Sequence, residues 1–191
     1  GNTASFPQNE KTTFNPRSPY GISKLTSYYL VKSYRSNFNT LGSTGILFNH
    51  ESPRRDLGFI TRKISYGAAR IKKGLQKKIY LGNIKSSRDW GHAKDFVYAM
   101  WLMLQQDKPD DYVIGTGEKH SVQDFADKAF AHVGLDYKNF IDLDNNLIRS
   151  MESDNRVADC TKAQKILKWR PKFSFDELVA DMVESDLKLI T

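Results

Sequence analysis

The sequence has little cysteine and no long apolar run. Cys160 is the only cysteine among the 191 residues, which excludes an internal disulfide framework and suits a reducing compartment. No stretch of 18 apolar residues is present, so we expect no membrane span. The first residues lack a basic start followed by an apolar core, so we also expect no signal peptide. These absences predict a cytoplasmic protein.

Histidine is scarce as well. The four histidines (50, 92, 120 and 132) show no ligand spacing with one another or with Cys160, so we expect no metal site. The net charge is +7, but the Lys and Arg residues are dispersed, and their densest cluster, 70–78, is typical of a solvated helix end. We therefore expect no nucleic-acid partner, whereas small anionic ligands would suit the charge.

Hydrophobic residues make up 39% of the chain, which is enough for a folded core. Apolar periodicity predicts helices over 17–38, 59–73, 94–106, 121–133 and 174–189, and a short helix capped by Thr161. It predicts strands over 43–49, 78–82, 112–114 and 139–143. In the helix over 94–106, the residues expected to face inward are Phe96, Val97, Ala99, Met100, Leu102 and Met103. Alternating strands and helices predict an α/β fold.

Tyr20 and Lys24 lie four residues apart near the start of the first predicted helix, so they share one face of that helix. A lysine ammonium close to a phenol stabilises the phenolate, and the same lysine can hold a ribose hydroxyl. Such a pair can therefore transfer a proton. By spacing alone, however, it is more often an ordinary surface pair.

A glycine loop for a dinucleotide is missing from these 191 residues. Nowhere does a predicted strand lead through G-x-x-G-x-x-G into a helix. Gly115-x-Gly117 lacks the third glycine, so we reject it as a phosphate loop.

Six segments carry a specific resemblance to a known family. They are PRSPYGISK (16–24), GILFNHESPRR (45–55), TRKI (61–64), YLGN (80–83), RDWGHAKD (88–95) and AMWLMLQQ (99–106). Together they resemble the GDP-mannose 4,6-dehydratases, which are extended short-chain dehydrogenase/reductases. The resemblance runs almost from end to end and is weakest between about 138 and 159.

The resemblance implies the C-terminal half of a Rossmann-type doubly wound domain, together with a small α/β substrate-binding region. Residues 1–58 would form the second half of the NAD(P)-binding domain. Residues 59–191 would form mainly the substrate region, with the segment 94–115 returning to the Rossmann sheet. It also implies N-terminal truncation, because Gly1 matches the glycine that closes the family's Ser-Ser/Thr-x-Glu-x-Tyr/Phe-Gly segment.

The reaction implied by the resemblance converts GDP-mannose to GDP-4-keto-6-deoxymannose and water, with NADP as cofactor. Tyr20 matches the base that removes the C4 hydroxyl proton while hydride leaves C4, and Lys24 matches its partner and ribose anchor. A carboxylate then takes the C5 proton, water leaves C6, and hydride returns to C6. That carboxylate would belong to the family segment before Gly1, since Glu10 stands in the wrong local pattern.

The resemblance also implies binding roles. Cofactor-contacting positions match Tyr20, Lys24, His50 and Arg55. Substrate-side positions match Asn49, Lys63, Arg88, Arg149 and Glu152, although the family's R-P-x-E-x-D pattern is changed here by Ser150. Taken alone, His50 is typical of a partly buried histidine and Arg55 of a solvated loop. For Asp89 and Trp90 we favour structural roles, with Asp89 holding a loop.

Two alternatives stay open at this stage. A chain without the glycine loop could be a non-catalytic binding module, because it cannot cradle a pyrophosphate on a helix N-terminus. Another nucleotide-sugar epimerase or reductase of the same family would share the Tyr–Lys pair but would not need the elimination carboxylate. The family pattern also implies homo-oligomers, for which the tyrosine-rich helix over 17–38 is a candidate interface.

Overall fold

The computed structural model describes residues 1, 5–148 and 156–190. Its α-helices are α1 (Pro19–Phe38), α2 (Ile60–Lys72), α3 (Ala93–Leu104), α4 (Val122–His132), α5 (Thr161–Ile166) and α6 (Phe175–Leu189). Its strands are β1 (Thr44–Leu47), β2 (Asn49–Glu51), β3 (Ile79–Leu81), β4 (Ser87–Arg88), β5 (Trp90–His92), β6 (Asp111–Ile114), β7 (His120–Ser121) and β8 (Ile141–Leu143). Helices and strands alternate, as the sequence predicts for an α/β fold.

Three of the four strand pairs are parallel. β1 pairs with β6, β2 with β5 and β3 with β8, whereas the short β4 and β7 are antiparallel. The predicted strand over 43–49 divides at Phe48 into β1 and β2, which pair with different partners. The chain thus moves from one strand pair to the next within a single extended segment.

Two hydrophobic cores lie on either side of this change of partner. The first packs α2, α4 and α6 around β3 and Trp90 of β5. The second packs α3, β6 and α5 with Ala158, Leu167 and Trp169. The stretch that follows residue 156 therefore returns to the strand pair β1–β6. The proposed domain division at residue 58 stays a prediction.

Helices α4 and α6 begin within one residue of their predicted starts. Ser121 and Asp124 form a reciprocal capping box at α4, and Ser174 and Glu177 form another at α6. The prediction for Thr161 is wrong, because Cys160 is the N-cap and Thr161 is the first helical residue. The Asp159 carboxylate accepts from the Thr161 backbone N–H at 3.1 Å, so an acidic side chain takes the capping contact.

The predicted inward face of α3 is partly wrong. Phe96, Ala99 and Met103 are buried, at the spacing of three and four residues that defines one helix face. Val97 is 62% exposed, and Met100 is also exposed. Both lie beside that face rather than on it, because a twelve-residue helix that packs on one side buries only a narrow stripe.

Helix α1 buries none of its residues. Its contacts with the rest of the chain converge on Asp111, the first residue of β6. Arg35 Nη2 donates to Asp111 Oδ1 at 2.7 Å, and the Tyr28 hydroxyl donates to Oδ2 at 3.1 Å. Arg35 Nε also donates to the Gly42 carbonyl at 2.8 Å. These polar contacts, together with the packing of Tyr28 on the Phe14 ring, hold α1.

A helix that crosses a bilayer must be about 20 residues long and predominantly apolar. None of the described helices is both long enough and apolar enough to span a membrane.

Expressed alone, residues 1–191 are predicted to self-associate. The exposed side chains of α1 include Leu30, Tyr34 and Phe38, and β1 pairs on one side only among the described strands. Exposed apolar faces and open strand edges both favour association. Light scattering after size-exclusion chromatography measures it, and Leu30→Lys/Tyr34→Lys should reduce it. A monodisperse monomer with one sharp melting transition would contradict the prediction.

Candidate functional site

The candidate site lies where β2 ends beside β5. In the parallel register Asn49 is opposite Trp90, His50 opposite Gly91 and Glu51 opposite His92. Ligands of open α/β folds bind outside the carboxyl ends of parallel strands. Asn49 and His50 begin β2 directly after the carboxyl end of β1, so they lie at the edge where such a ligand would be expected.

His50 is half-buried and is oriented from two sides. Its Nδ1 lies 3.0 Å from the Phe48 carbonyl oxygen, and its ring centroid lies 5.0 Å from that of Phe96. Gly91 makes room for this arrangement, because a β-carbon there would come within 2.5 Å of the Phe96 ring. With Nδ1 held by a carbonyl, Nε2 is the ring atom left to meet a ligand.

A buried carboxylate, Glu51, ends β2. Its Oε2 accepts from the Thr61 hydroxyl at 2.7 Å and lies 3.2 Å from Arg55 Nε. The alignment with Arg55 is that of an ion pair rather than a hydrogen bond. Burial raises the pKa of the Glu51 carboxyl, whereas Thr61 and Arg55 act in the opposite direction.

Arg55 stacks on an aromatic ring. Its guanidinium carbon lies 3.4 Å from the centroid of Phe59, so the plane of the group is set by the ring. The buried Nε has no hydrogen-bond partner among the described residues. Because that Nε faces the Glu51 carboxylate, an anionic oxygen such as that of a phosphate would have to meet the Nη groups of this planar, oriented guanidinium, whose side chain is 26% exposed.

Tyr20 and Lys24 lie on the first turns of α1 and face solvent. Ser18 caps this end through the Gly21 N–H at 3.1 Å, and Pro19 occupies the first helical position. Tyr20 is 71% exposed, and Lys24 Nζ lies 5.5 Å from its ring centroid. The structure thus brings the two side chains together as the spacing predicts.

The substrate-side candidates lie on separate elements. Lys63 Nζ, on α2, donates to the Tyr80 carbonyl at 2.6 Å. Arg88 ends β4, opposite His120, and its Nη1 donates to the Ser87 carbonyl at 2.6 Å. Arg149 and Glu152 lie outside the described residues.

The residues beside Arg88 have the structural roles that the sequence favoured. Asp89 is fully buried and accepts hydrogen bonds from the turn after β6, while Trp90 packs in the first core. Asp95 holds the loop before α6, because its carboxylate accepts from the backbone N–H groups of Lys172 and Phe173.

Metal and thiol chemistry find no support in this site. Within residues 1, 5–148 and 156–190, no group of three or more His, Cys, Asp or Glu side chains could hold a metal ion. Burial raises the pKa of the Cys160 thiol to about 12, so the thiolate nucleophile is scarce at neutral pH.

Sequence reasoning missed the buried polar residues around the loop over 52–59. Glu51, Thr61 and Arg62 stand inside the matching segments, but no local pattern marks them as buried. Asp186 did carry a signal. It continues the apolar face of α6 one turn after Met182, and a carboxylate at such a position predicts a buried partner.

Comparison with known proteins identifies the family. A family model described as GDP-mannose 4,6 dehydratase matches residues 1–182. The chain belongs to the GDP-mannose 4,6-dehydratase family. It is 51% identical to GDP-mannose 4,6 dehydratase 1 of Arabidopsis thaliana over 96% of this chain and 51% of that protein. It is 46% identical to the Homo sapiens GDP-mannose 4,6 dehydratase over 100% of this chain and 56% of that protein. It therefore spans about half the length of the curated relatives that it matches.

Solved structures show the same fold in other enzymes. RMD from Pseudomonas aeruginosa, solved with NADPH, is similar with a TM-score of 0.91 and 20% identity, over 98% of this chain and 62% of that one. UDP-glucose 4-epimerase from Thermotoga maritima is similar with a TM-score of 0.85 and 24% identity, over 100% of this chain and 60% of that one. The family resemblance and the Rossmann-type fold class are confirmed, whereas the residue roles stay predictions.

The contributions of Glu51 and Glu177 to folding stability should change with pH in opposite directions. Burial raises the pKa of Glu51 above 4.5, so its contribution to stability is lost as pH rises through the folded-state pKa. The Ser174 backbone N–H lowers the pKa of Glu177, so its contribution is lost as pH falls below 4.5. Between about pH 4 and about pH 7, the melting temperature of Glu51→Gln should rise relative to that of wild type. Over the same range, the melting temperature of Glu177→Gln should fall relative to that of wild type.

Thermal melts of the complete gene product that contains residues 1–191 test this pair, with each variant compared to wild type at both pH values. Equal pH responses of Glu51→Gln and Glu177→Gln would show that Glu51 is not titrating in a desolvated site.

Proposed function

We propose that this chain supplies the proton-transfer helix and much of the nucleotide-binding surface of a GDP-mannose 4,6-dehydratase, an NADP-dependent carbon–oxygen lyase. One observation carries the proposal. The Tyr20–Lys24 pair stands exposed and paired on the capped first turns of α1, within a chain that belongs to this family.

The anchor of α1 supports the placement of that pair. Arg35 contacts Asp111 at the amino end of β6, the strand parallel to β1. Tyr20 stands fifteen residues earlier, which is about 22 Å along a helix at 1.5 Å per residue. A helix that leads into a strand of an α/β layer runs antiparallel to it, so Tyr20 is directed toward the carboxyl ends of the strands, where β2 begins.

Tyr20 is the proposed proton acceptor. As phenolate it takes the C4 hydroxyl proton of the sugar, and the Lys24 ammonium stabilises the charge it carries. Neither polar group has a hydrogen-bond partner among the described residues, so both are open to a ligand. NADP, when bound, supplies a reversible hydride acceptor. The fit of such a group is supported by the oriented, partly exposed Arg55 guanidinium, with Lys24 and His50 as further contacts.

The substrate-side residues complete the proposal. Asn49 follows β1 beside His50 and can meet the sugar, while Lys63 and Arg88 can contact the diphosphate of GDP-mannose. Arg149 and Glu152 are proposed to face the phosphate and the nucleoside. The net charge of +7 is favourable for two anionic nucleotides.

The elimination step needs a carboxylate at C5. Glu10 does not fit this role, because its Oε1 accepts from the Val113 backbone N–H at 2.8 Å at the edge of β6. Glu51 is engaged by Thr61 and Arg55. The resemblance implies that this carboxylate lies in the part of the relatives' length that the chain does not match.

Assembly and location are part of the same proposal. The exposed tyrosines of α1, such as Tyr29 and Tyr34, support a homo-oligomer that packs this helix against another copy. The single, buried Cys160 is compatible with a cytoplasmic location.

The test is a reaction of the complete gene product with GDP-mannose and NADP in deuterated water. A dehydratase forms the 4-keto-6-deoxy sugar, with a C6 methyl signal in the proton spectrum and with deuterium at C5. An epimerase or reductase gives no such methyl group from GDP-mannose, and either product would overturn the proposal.

A non-catalytic binding module is the second candidate. It is favoured by the lack of a G-x-x-G-x-x-G turn in the 191 residues. Binding of GDP-mannose by the complete gene product without any turnover would support the module instead.

Replacing the proposed base should affect the chemical step rather than binding. Tyr20→Phe removes the acidic hydroxyl and keeps the ring, so kcat is predicted to fall by about 10²- to 10⁴-fold while KM changes little. Tyr29→Phe is the matched control, because Tyr29 is an exposed tyrosine on the same helix. Steady-state kinetics of both variants decide the matter, and an unchanged kcat in Tyr20→Phe would remove Tyr20 from the mechanism.

A further inference from the structure

A buried arginine outside the candidate site holds the loop between β2 and α2. Arg62 lies in the first turn of α2 and is 7% exposed. Its Nη1 donates to the carbonyl oxygens of Pro53 and Arg55, the second at 3.0 Å. These carbonyls find their partner in a side chain rather than in a strand or helix. The path of the loop therefore depends on where the Arg62 guanidinium lies.

Asp186 holds the other side of that guanidinium. Its Oδ1 accepts from Arg62 Nε at 2.9 Å and from Nη2 at 2.5 Å, and its Oδ2 accepts from the Ser65 hydroxyl at 2.7 Å. Asp186 is fully buried on α6. Arg62 Nε also donates to Oδ2 at 3.2 Å, so bonds from two nitrogens to one carboxylate fix the plane of the guanidinium. The loop is thus positioned relative to α6, the last helix of the chain.

The loop held in this way carries groups that the site needs. Arg55 lies within it, and Glu51 lies at its start. Thr61 holds Glu51, and its neighbour Arg62 holds the backbone of Arg55. Two consecutive residues of α2 therefore fix the start and the middle of the loop. A displacement of Arg62 acts directly on Arg55, because the Arg55 carbonyl is one of its own partners.

Stability alone explains this pair poorly. A buried ion pair is often no more stabilising than apolar side chains of the same volume, because desolvation offsets the attraction. Arg62, however, also satisfies two carbonyls of the preceding loop, which apolar side chains could not do. The orientation of the loop is therefore the property that requires an arginine at this position.

We propose that Arg62 and Asp186 are positioning residues, which set the loop over 52–59 so that the Arg55 guanidinium meets a phosphate-bearing nucleotide at the carboxyl end of β2. The inference rests on the proposed function, in which Arg55 contacts the cofactor. Neither positioning residue touches the ligand.

Two variants test the proposal in the complete gene product. Arg62→Lys keeps the charge beside Asp186 but loses the fork that reaches both the carboxylate and the loop carbonyls. The double variant Arg62→Met/Asp186→Leu removes both charges, so neither is left buried and unpaired. Met182→Ala is the control, because Met182 is fully buried one turn earlier on α6 and contributes core packing.

The readouts separate positioning from folding. Hydrogen exchange of residues 52–59 reports loop order, notably at the Arg55 N–H, which donates to the Ser52 carbonyl at 2.9 Å. The dissociation constant of NADPH and the kcat and KM for GDP-mannose report the site. In Arg62→Lys and in the double variant, we expect faster exchange of the loop and NADPH binding weakened by about 10- to 100-fold. Met182→Ala should lower the melting temperature and leave both readouts close to wild type.

Unchanged NADPH binding in folded Arg62→Lys and in the double variant would overturn the proposal. Equal changes in Met182→Ala would overturn it too, because a general loss of packing would then explain the result. A wild-type protein that binds no NADPH would contradict the proposed function instead. The hydrogen-exchange rates of residues 52–59 in the variants and in wild type would then show by themselves whether Arg62 orders the loop.

Discussion

The carboxylate of Asp89 connects the two hydrophobic cores. It accepts hydrogen bonds from the backbone N–H groups of Thr116, Gly117 and Ala158 and from the Thr116 hydroxyl. Trp90 follows it into the first core, whereas Ala158 belongs to the second. A buried carboxylate is tolerated only when its oxygens are hydrogen-bonded, so these segments must meet at Asp89. This junction fixes the position of β5, and the pairing of β2 with β5 then fixes the position of β2.

The junction at Asp89 positions only one side of the candidate site. Asn49 and His50 lie on a strand that pairs with β5, and the following loop is held by the buried polar contacts of Glu51 and Arg62. The Tyr20 side, by contrast, lies on a helix without a buried residue. The chain therefore presents an ordered edge at Asn49 and His50 and an exposed helix that carries Tyr20.

Local signals in the sequence were reliable where local physics decides the outcome. The helices that begin after Ser121 and Ser174 start where the sequence predicts, because each start is a capping box that is complete within four residues. The Tyr20–Lys24 contact follows from helical spacing alone. The prediction for Val97 and Met100 was wrong because periodicity gives a helix face but not its width, which depends on what packs against the helix.

By itself, the sequence predicted the described α-helices, the α/β class and the family, but it missed the short strands β4, β5 and β7. The tertiary structure decided the pairing of β2 with β5, the burial of Glu51 and the link from Arg62 to Asp186, which stand 124 residues apart. The physical reason is the range of the interactions. Helical spacing and caps act within one or two turns, whereas the satisfaction of a buried charge depends on partners that only the folded chain brings together.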